Sequence, residues 1–192
     1  MLNLVSIKAI SPENWLSGRQ ASNFDNSFNQ FKQTPIPEAQ KSAGEVFEDA
    51  LISLAKADAP SPGYNLHSNA DFTAQVQPHY KKAAKNFRDL VQGSKRSEAP
   101  ETVTNFLRAD RAIALAKWAE TLGSDVDGRH VLKAPGMVVD HLIDARKNLP
   151  ASMRSEALRS VKIQIEDAIT DLVARYPFIK NQPSIEEYLS QI

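Results

Sequence analysis

An all-α fold, a compact bundle of about five or six main helices, follows from three observations. Beyond about Pro37, apolar residues recur at three- and four-residue spacing in segments long enough for helices. Pro and Gly cluster between those segments, where they punctuate helices. No strand alternation of useful length and no repeat of ~20–50 residues accompanies them. The first 34 residues read differently, being crowded with Ser, Asn and Gln and carrying acids only at Glu13 and Asp25 before the breaker Thr34-Pro35-Ile36-Pro37. The expected organisation is therefore a polar, flexible extension over residues 1–36 and a helical domain over residues 37–192.

Taken in order, Ser11-Pro12-Glu13 predicts a short helix start, with Ser as N-cap and Pro at the first helical position, carrying Trp15 and ended by Gly18. Phe24, Phe28 and Phe31 follow at spacings of four and three, which places them on one helical face. Such a stripe either packs on the body or serves as an aromatic anchor for a partner's groove. The Asn and Ser around it are indifferent helix formers, so the segment needs something to lean on.

The first firm helix is expected from about Pro37 to Lys56, with Ala43, Val46, Phe47, Ala50, Leu51 and Leu54 on one side. Asp58-Ala-Pro-Ser-Pro-Gly63 is a loop, because two prolines and a glycine within it cannot continue a helix. Helical spacing resumes after Asn69 or Asp71, meets Pro78 as a kink or fresh start, and continues through Phe87 and Val91 to an expected C-cap at Gly93. A long helix then carries Val103, Phe106, Leu107 and Ile113 and ends near Gly123. Its run Ala112-Ile-Ala-Leu-Ala-Lys-Trp-Ala119 is apolar nearly all round, which predicts burial on more than one face. Ser124 to Arg129 is a turn and His130 to Lys133 an isolated extended piece. Pro135 to Leu149 is the next helix. The clearest periodicity follows at Leu158, Val161, Ile165, Ala168 and Leu172, and a last short helix opens at Pro183, where Ser184 and Glu187 fit a capping box.

Composition removes several function classes. With 192 residues the chain is one domain, or one domain plus an extension, large enough for a core without staples. Cysteine is absent, which excludes disulfides, thiolate metal sites and a Cys nucleophile. Lys and Arg together number 23 and Asp and Glu together 23, so no global field attracts nucleic acid or an anionic membrane. No apolar run approaches the ~18 residues of a membrane span. The segment Met1 to Ile10 lacks a basic start, and Lys8 interrupts its apolar run, so it does not read as a cleaved signal peptide.

Motifs are sparse. None of the four histidines, at 67, 79, 130 and 141, has a second ligand at helical metal spacing, so no metal or other cofactor is expected. Asp125-Val-Asp127-Gly128 resembles the middle of a calcium loop, but the loop's first and twelfth positions would be Gly123 and Ala134, and a turn accounts for it better. No phosphate-binding glycine loop or nucleophile elbow is present. The one basic cluster places Lys81, Lys85 and Arg88 on one stripe, with Lys82, Lys95 and Arg96 nearby. This could meet phosphate or an anionic headgroup, or be a solvated outer face.

A polar, Ser/Asn/Gln-rich N-terminus without a cleavable signal, set ahead of a helical body, resembles the export segments of bacterial type III secreted effectors. The resemblance covers residues 1–34 and is compositional. It implies a leader kept unfolded for an export chaperone, with Leu2, Leu4, Val5 and Ile7 available to the chaperone's groove. It also implies cytoplasmic residence in the producing cell and delivery to a host cell. The pattern of the helical effectors that act on host GTPases, Trp followed four positions later by Glu, is absent, since Trp118 is followed there by Leu122.

The expected function is a non-catalytic protein-interaction domain whose partner is a host protein or a secretion chaperone. Its expected contact residues are Trp15, Phe24, Phe28 and Phe31. An exposed amphipathic face would serve a homo-oligomer equally well. The alternatives are an all-α enzyme with a site assembled from several helices, or an anionic lipid or nucleic-acid binder using Lys81, Lys85 and Arg88.

Overall fold

In a computed structural model, the chain is described over residues 4–59, 70–126, 129–151, 153 and 155–191. After a 3-10 turn at Leu4–Ser6 come α1 (Pro12–Trp15), α2 (Arg19–Phe31), β1 (Pro35–Ile36), β2 (Lys41–Ser42), α3 (Ala43–Asp58), α4 (Ala70–Arg96) and α5 (Glu101–Glu120). Then follow β3 (Ser124–Val126), β4 (Arg129–Val131), α6 (Pro135–Asn148), α7 (Glu156–Arg175), a 3-10 turn at Pro177–Asn181, and α8 (Pro183–Leu189). The fold is all-α. Its strands form two antiparallel two-stranded ribbons, β1 with β2 and β3 with β4. The expected isolated piece at His130 is thus one arm of a small hairpin.

The helix α5 is the centre of the bundle, packed between α4 and α6, with α3 against α4 and α7 against α6. Val103, Phe106, Leu107, Ala109, Ala112, Ile113, Ala114, Ala116 and Ala119 are all buried, which is the all-round burial its sequence predicts. Local signals set several boundaries. Ser42 accepts the Glu45 N–H at 3.3 Å while Glu45 accepts the Ser42 N–H at 2.8 Å, so α3 starts at a capping box, later than the expected Pro37. At Gly18, φ is 65° and ψ −142°, a conformation that glycine alone adopts freely, and it separates α1 from α2.

Three local expectations are corrected. Of the kink or fresh start expected at Pro78, the fresh start is excluded: α4 runs through Pro78, with Val76, Tyr80, Ala83, Phe87 and Leu90 buried on either side of it. Gly93 lies inside α4, three residues before its end, where the Ile36 side chain packs directly on it. The helix α8 has no capping box at Ser184, whose hydroxyl instead donates to Asp140 Oδ1 at 2.5 Å and ties α8 to α6.

The largest correction concerns residues 1–36. From Leu4 onward this segment is part of the core: Leu4, Ile7, Ile10, Trp15, Phe24, Phe28, Phe31 and Ile36 are all buried in one cluster with the helices of the body. Met1–Asn3, including Leu2, lie outside the described residues. Polar residues dominate the segment by number, but the apolar minority falls at helical spacing, and spacing rather than composition decides burial.

Candidate functional site

The four expected contact aromatics do not reach solvent. Phe106 of α5 is ringed by Trp15 at 5.4 Å, Phe24 at 5.5 Å, Phe28 at 5.3 Å and Phe47 at 5.9 Å between ring centroids, mostly edge-to-face. Phe31 lies 6.5 Å from Phe28 and completes the stripe. The stripe therefore leans on the body, and Trp15, Phe24, Phe28 and Phe31 are corrected from partner contacts to core.

The basic face stays outside, but acids balance it. Lys85 and Arg88 both bind the carboxylate of Asp89, at 3.2 and 3.0 Å, and that carboxylate is itself buried. Arg96 grips Glu38 with both guanidinium arms, at 2.5 and 2.8 Å, which holds the Glu38 carboxyl down at about 2. Asp49 binds Lys41 and also feels Lys82. Lys81 is exposed on the same stripe. Two of the three expected anion-binding residues are thus engaged within the chain.

Sequence reasoning missed a polar cluster set into the core. Lys117, 1% exposed, donates to both carboxylate oxygens of Asp58, at 3.0 and 2.8 Å. The Tyr80 hydroxyl donates to Asp58 Oδ1 at 2.8 Å, and the Lys117 ammonium also lies 5.8 Å from the centre of the Tyr80 ring. Lys8 approaches the same carboxylate from outside, at 3.7 Å. Burial pushes Lys117 below its ordinary value, and Asp58 pulls it back toward the charged form. Burial raises the Tyr80 phenol, with Asp58 acting in the same direction.

One helical turn pair away on α5, Asp110 is fully buried. Its Oδ1 accepts the backbone N–H of Ile10 at 2.7 Å, while Oδ2 has no hydrogen-bond partner. Burial pushes its carboxyl up to about 8, against the opposing pulls of the Ile10 N–H and the Lys117 charge. Burial also lifts Glu120 to about 8. The signal for this cluster was present in the sequence as Lys117 within the run Ala112–Ala119, apolar nearly all round, since a charge there must find a partner. That partner could not be read, because Asp58 lies 59 residues away.

A cleft of about 410 Å³ opens beside Asp58, walled by Lys8, Ala9, Leu51, Leu54 and Ala55. Lys117 lies behind the carboxylate, its side chain only 2% exposed, so the ammonium is spent on the ion pair and is not offered to the cleft. Among the described residues no group of three His, Asp or Glu side chains could hold a metal ion, and no helix is long and apolar enough to cross a membrane. His130, Asp127 and Gly128 belong to positions whose side chains lie outside the described residues, as does His67.

Exposed apolar groups lie near the start of α6 and just beyond the end of α7. Phe178 is 68% exposed and rests edge-on against Tyr176 at 6.1 Å. The Tyr176 hydroxyl accepts the Leu132 N–H at 3.2 Å, which brings Val131 beside this pair. Met137 is exposed on the first turn of α6, next to Gly136, which packs against Gln182 at the start of α8. No protein-family model, curated protein or solved structure matches the chain.

Proposed function

We propose that this chain is a non-catalytic helical protein-interaction domain whose contact surface bears Val131, Met137, Tyr176 and Phe178. The observation that carries the reading is the exposure of Phe178, at 68%, together with Val131 and Met137; the other exposed large apolar side chains, Ile52 and Ile163, belong to α3 and α7. Exposed apolar groups gathered in one place mark association surfaces, and aromatic and Met side chains are enriched at the centres of such surfaces. The burial of the Lys117–Asp58–Tyr80 cluster supports the same reading, because its polar groups satisfy one another and leave little for a substrate.

The setting we propose is that of a secreted bacterial effector or accessory, which rests on the Ser/Asn/Gln-rich N-terminal composition. Packing of residues 4–36 into the body requires that segment to unfold before any export. The chaperone's groove would then bind Leu4 and Ile7 only in the unpacked state.

The test compares the full chain with Phe178→Ser combined with Met137→Ser, as baits in bacterial and eukaryotic lysates, with light scattering for self-association. A saturable partner, or a dimer, that is lost in the double variant supports the reading. A partner retained by the double variant, with the fold intact by circular dichroism, moves the contact elsewhere and refutes this surface.

A further inference from the structure

Residues 4–10 lie across α5, between α3 on one side and α7 on the other. Leu4, Ile7 and Ile10 point into the core, and the polar fastenings include the Ile10 N–H to Asp110 and Lys8 to Asp58. Lys8 and Ala9 wall two separate clefts: the one of about 410 Å³ against α3, and one of about 280 Å³ against Leu158 and Val161 of α7. The segment is thus the partition between them. We propose that residues 4–10 are a releasable strap, keyed by the buried Ile10–Asp110 hydrogen bond, whose departure joins the two clefts into one trough along α5.

Geometry makes the strap separable from the rest. It belongs to no sheet, the Ile7 N–H bonds back to the Leu4 C=O at 3.0 Å, and the side chains of Leu4, Ile7 and Ile10 anchor it. Segments with few buried contacts open at lower free energy than the core. The keying group is a carboxyl that water cannot reach while the strap is in place. Once the strap leaves, Asp110 is hydrated and returns to an ordinary carboxylate, so docking takes up a proton and release gives it back.

The charged group whose field reaches Asp110 is Lys117 of α5, which is itself surrounded by Asp58 from α3, Lys8 from the strap and Glu120 from α5, with Tyr80 of α4 bonded to Asp58. On α6, His141 faces the field of Arg111. Of these, Lys117 acts directly on Asp110 and favours its ionised form. Burial outweighs that attraction, leaving the docked carboxyl at about 8 against an ordinary value near 4. Between those two values, each unit of rising pH favours release by up to about tenfold.

Hydrogen exchange of the full chain, read by mass spectrometry from about pH 5 to pH 8 and corrected for intrinsic chemistry, tests this. The expected result is opening of residues 7–10 that grows with pH while the amides of α5 stay protected, and a flat profile for Asp110→Asn, which keeps the N–H acceptor and has no proton to lose. Strap amides that exchange only together with α5 would overturn the proposal, as would an unchanged pH slope in Asp110→Asn. Should that variant fail to fold, tryptic cleavage of the unaltered chain after Lys8 decides, normalised to a free peptide of residues 4–12. A relative rate rising with pH supports the strap, and a constant one refutes it. None of these outcomes depends on the partner surface at Phe178.

Discussion

The ammonium of Lys117 sits 3.0 and 2.8 Å from the two carboxylate oxygens of Asp58, joining the middle of the bundle to the last turn of α3. Taking away either partner strands a charge in the interior. Lys117→Ala is therefore expected to lower stability by about 3–5 kcal/mol, whereas Lys117→Met with Asp58→Asn is expected to recover much of that loss, because buried ion pairs gain little over well-packed apolar groups. Urea denaturation of the two single variants and the pair measures the difference. Equal loss in all three would mean that packing volume, and not charge pairing, governs the site.

Stability should decline from mildly acidic to mildly alkaline pH. Asp110 and Glu120 are both lifted to about 8 by burial, so each contributes stability fully present below its ordinary unfolded value and lost as pH rises through the folded one. Lys117, held below its ordinary value, works the other way as pH approaches the lysine range. Melting temperatures followed from pH 5 to pH 8 should fall steadily, and Glu120→Gln should reduce the slope. A melting temperature that climbs over this interval would contradict the assignment.

Phe28→Ser is expected to unfold the chain or bring it close to unfolding, since a buried aromatic cut to a small side chain costs about 3–5 kcal/mol before the desolvated hydroxyl is counted. Phe178→Ser, on an exposed ring, should change stability by less than about 0.5 kcal/mol. Thermal melts of the two variants separate core aromatic from surface aromatic in one experiment.

The Gly93–Ile36 contact offers a cycle with a predicted reversal. A Cβ at position 93 would collide with Ile36 Cδ1, so Gly93→Ala is expected to destabilise by about 1–3 kcal/mol despite the better helix propensity of alanine. Ile36→Val removes the colliding atom. In that background, Gly93→Ala should become neutral or stabilising, and a double-mutant cycle reports the coupling.

The helices were readable because their periodicity is local, and α3, α5, α6 and α7 all lie close to where apolar spacing puts them. What sequence reasoning misread depends on contacts between distant residues. Gly93 reads as a helix terminus until Ile36 is seen resting on it, and the Phe24, Phe28 and Phe31 stripe reads as core or as docking surface until Phe106 supplies the other side. Lys117 gave a visible hint, being a charge within a run that is apolar nearly all round. The exposed group around Phe178 gave none, because single apolar residues after a helix-ending Tyr-Pro are unremarkable in sequence.

The hydrogen bond from Ile10 to Asp110 spans 100 residues of chain. During synthesis, Trp15, Phe24 and Phe28 leave the ribosome well before they can reach their places, because they have no Phe106 to close around until the chain between them has emerged. Contacts of such long sequence separation slow folding and prolong exposure of sticky surface. The nascent chain thus carries an aromatic-rich, unpacked segment for several seconds at ordinary elongation rates of roughly 5–20 residues per second. That interval gives any factor that recognises unfolded chains its opportunity, and it closes when α5 arrives.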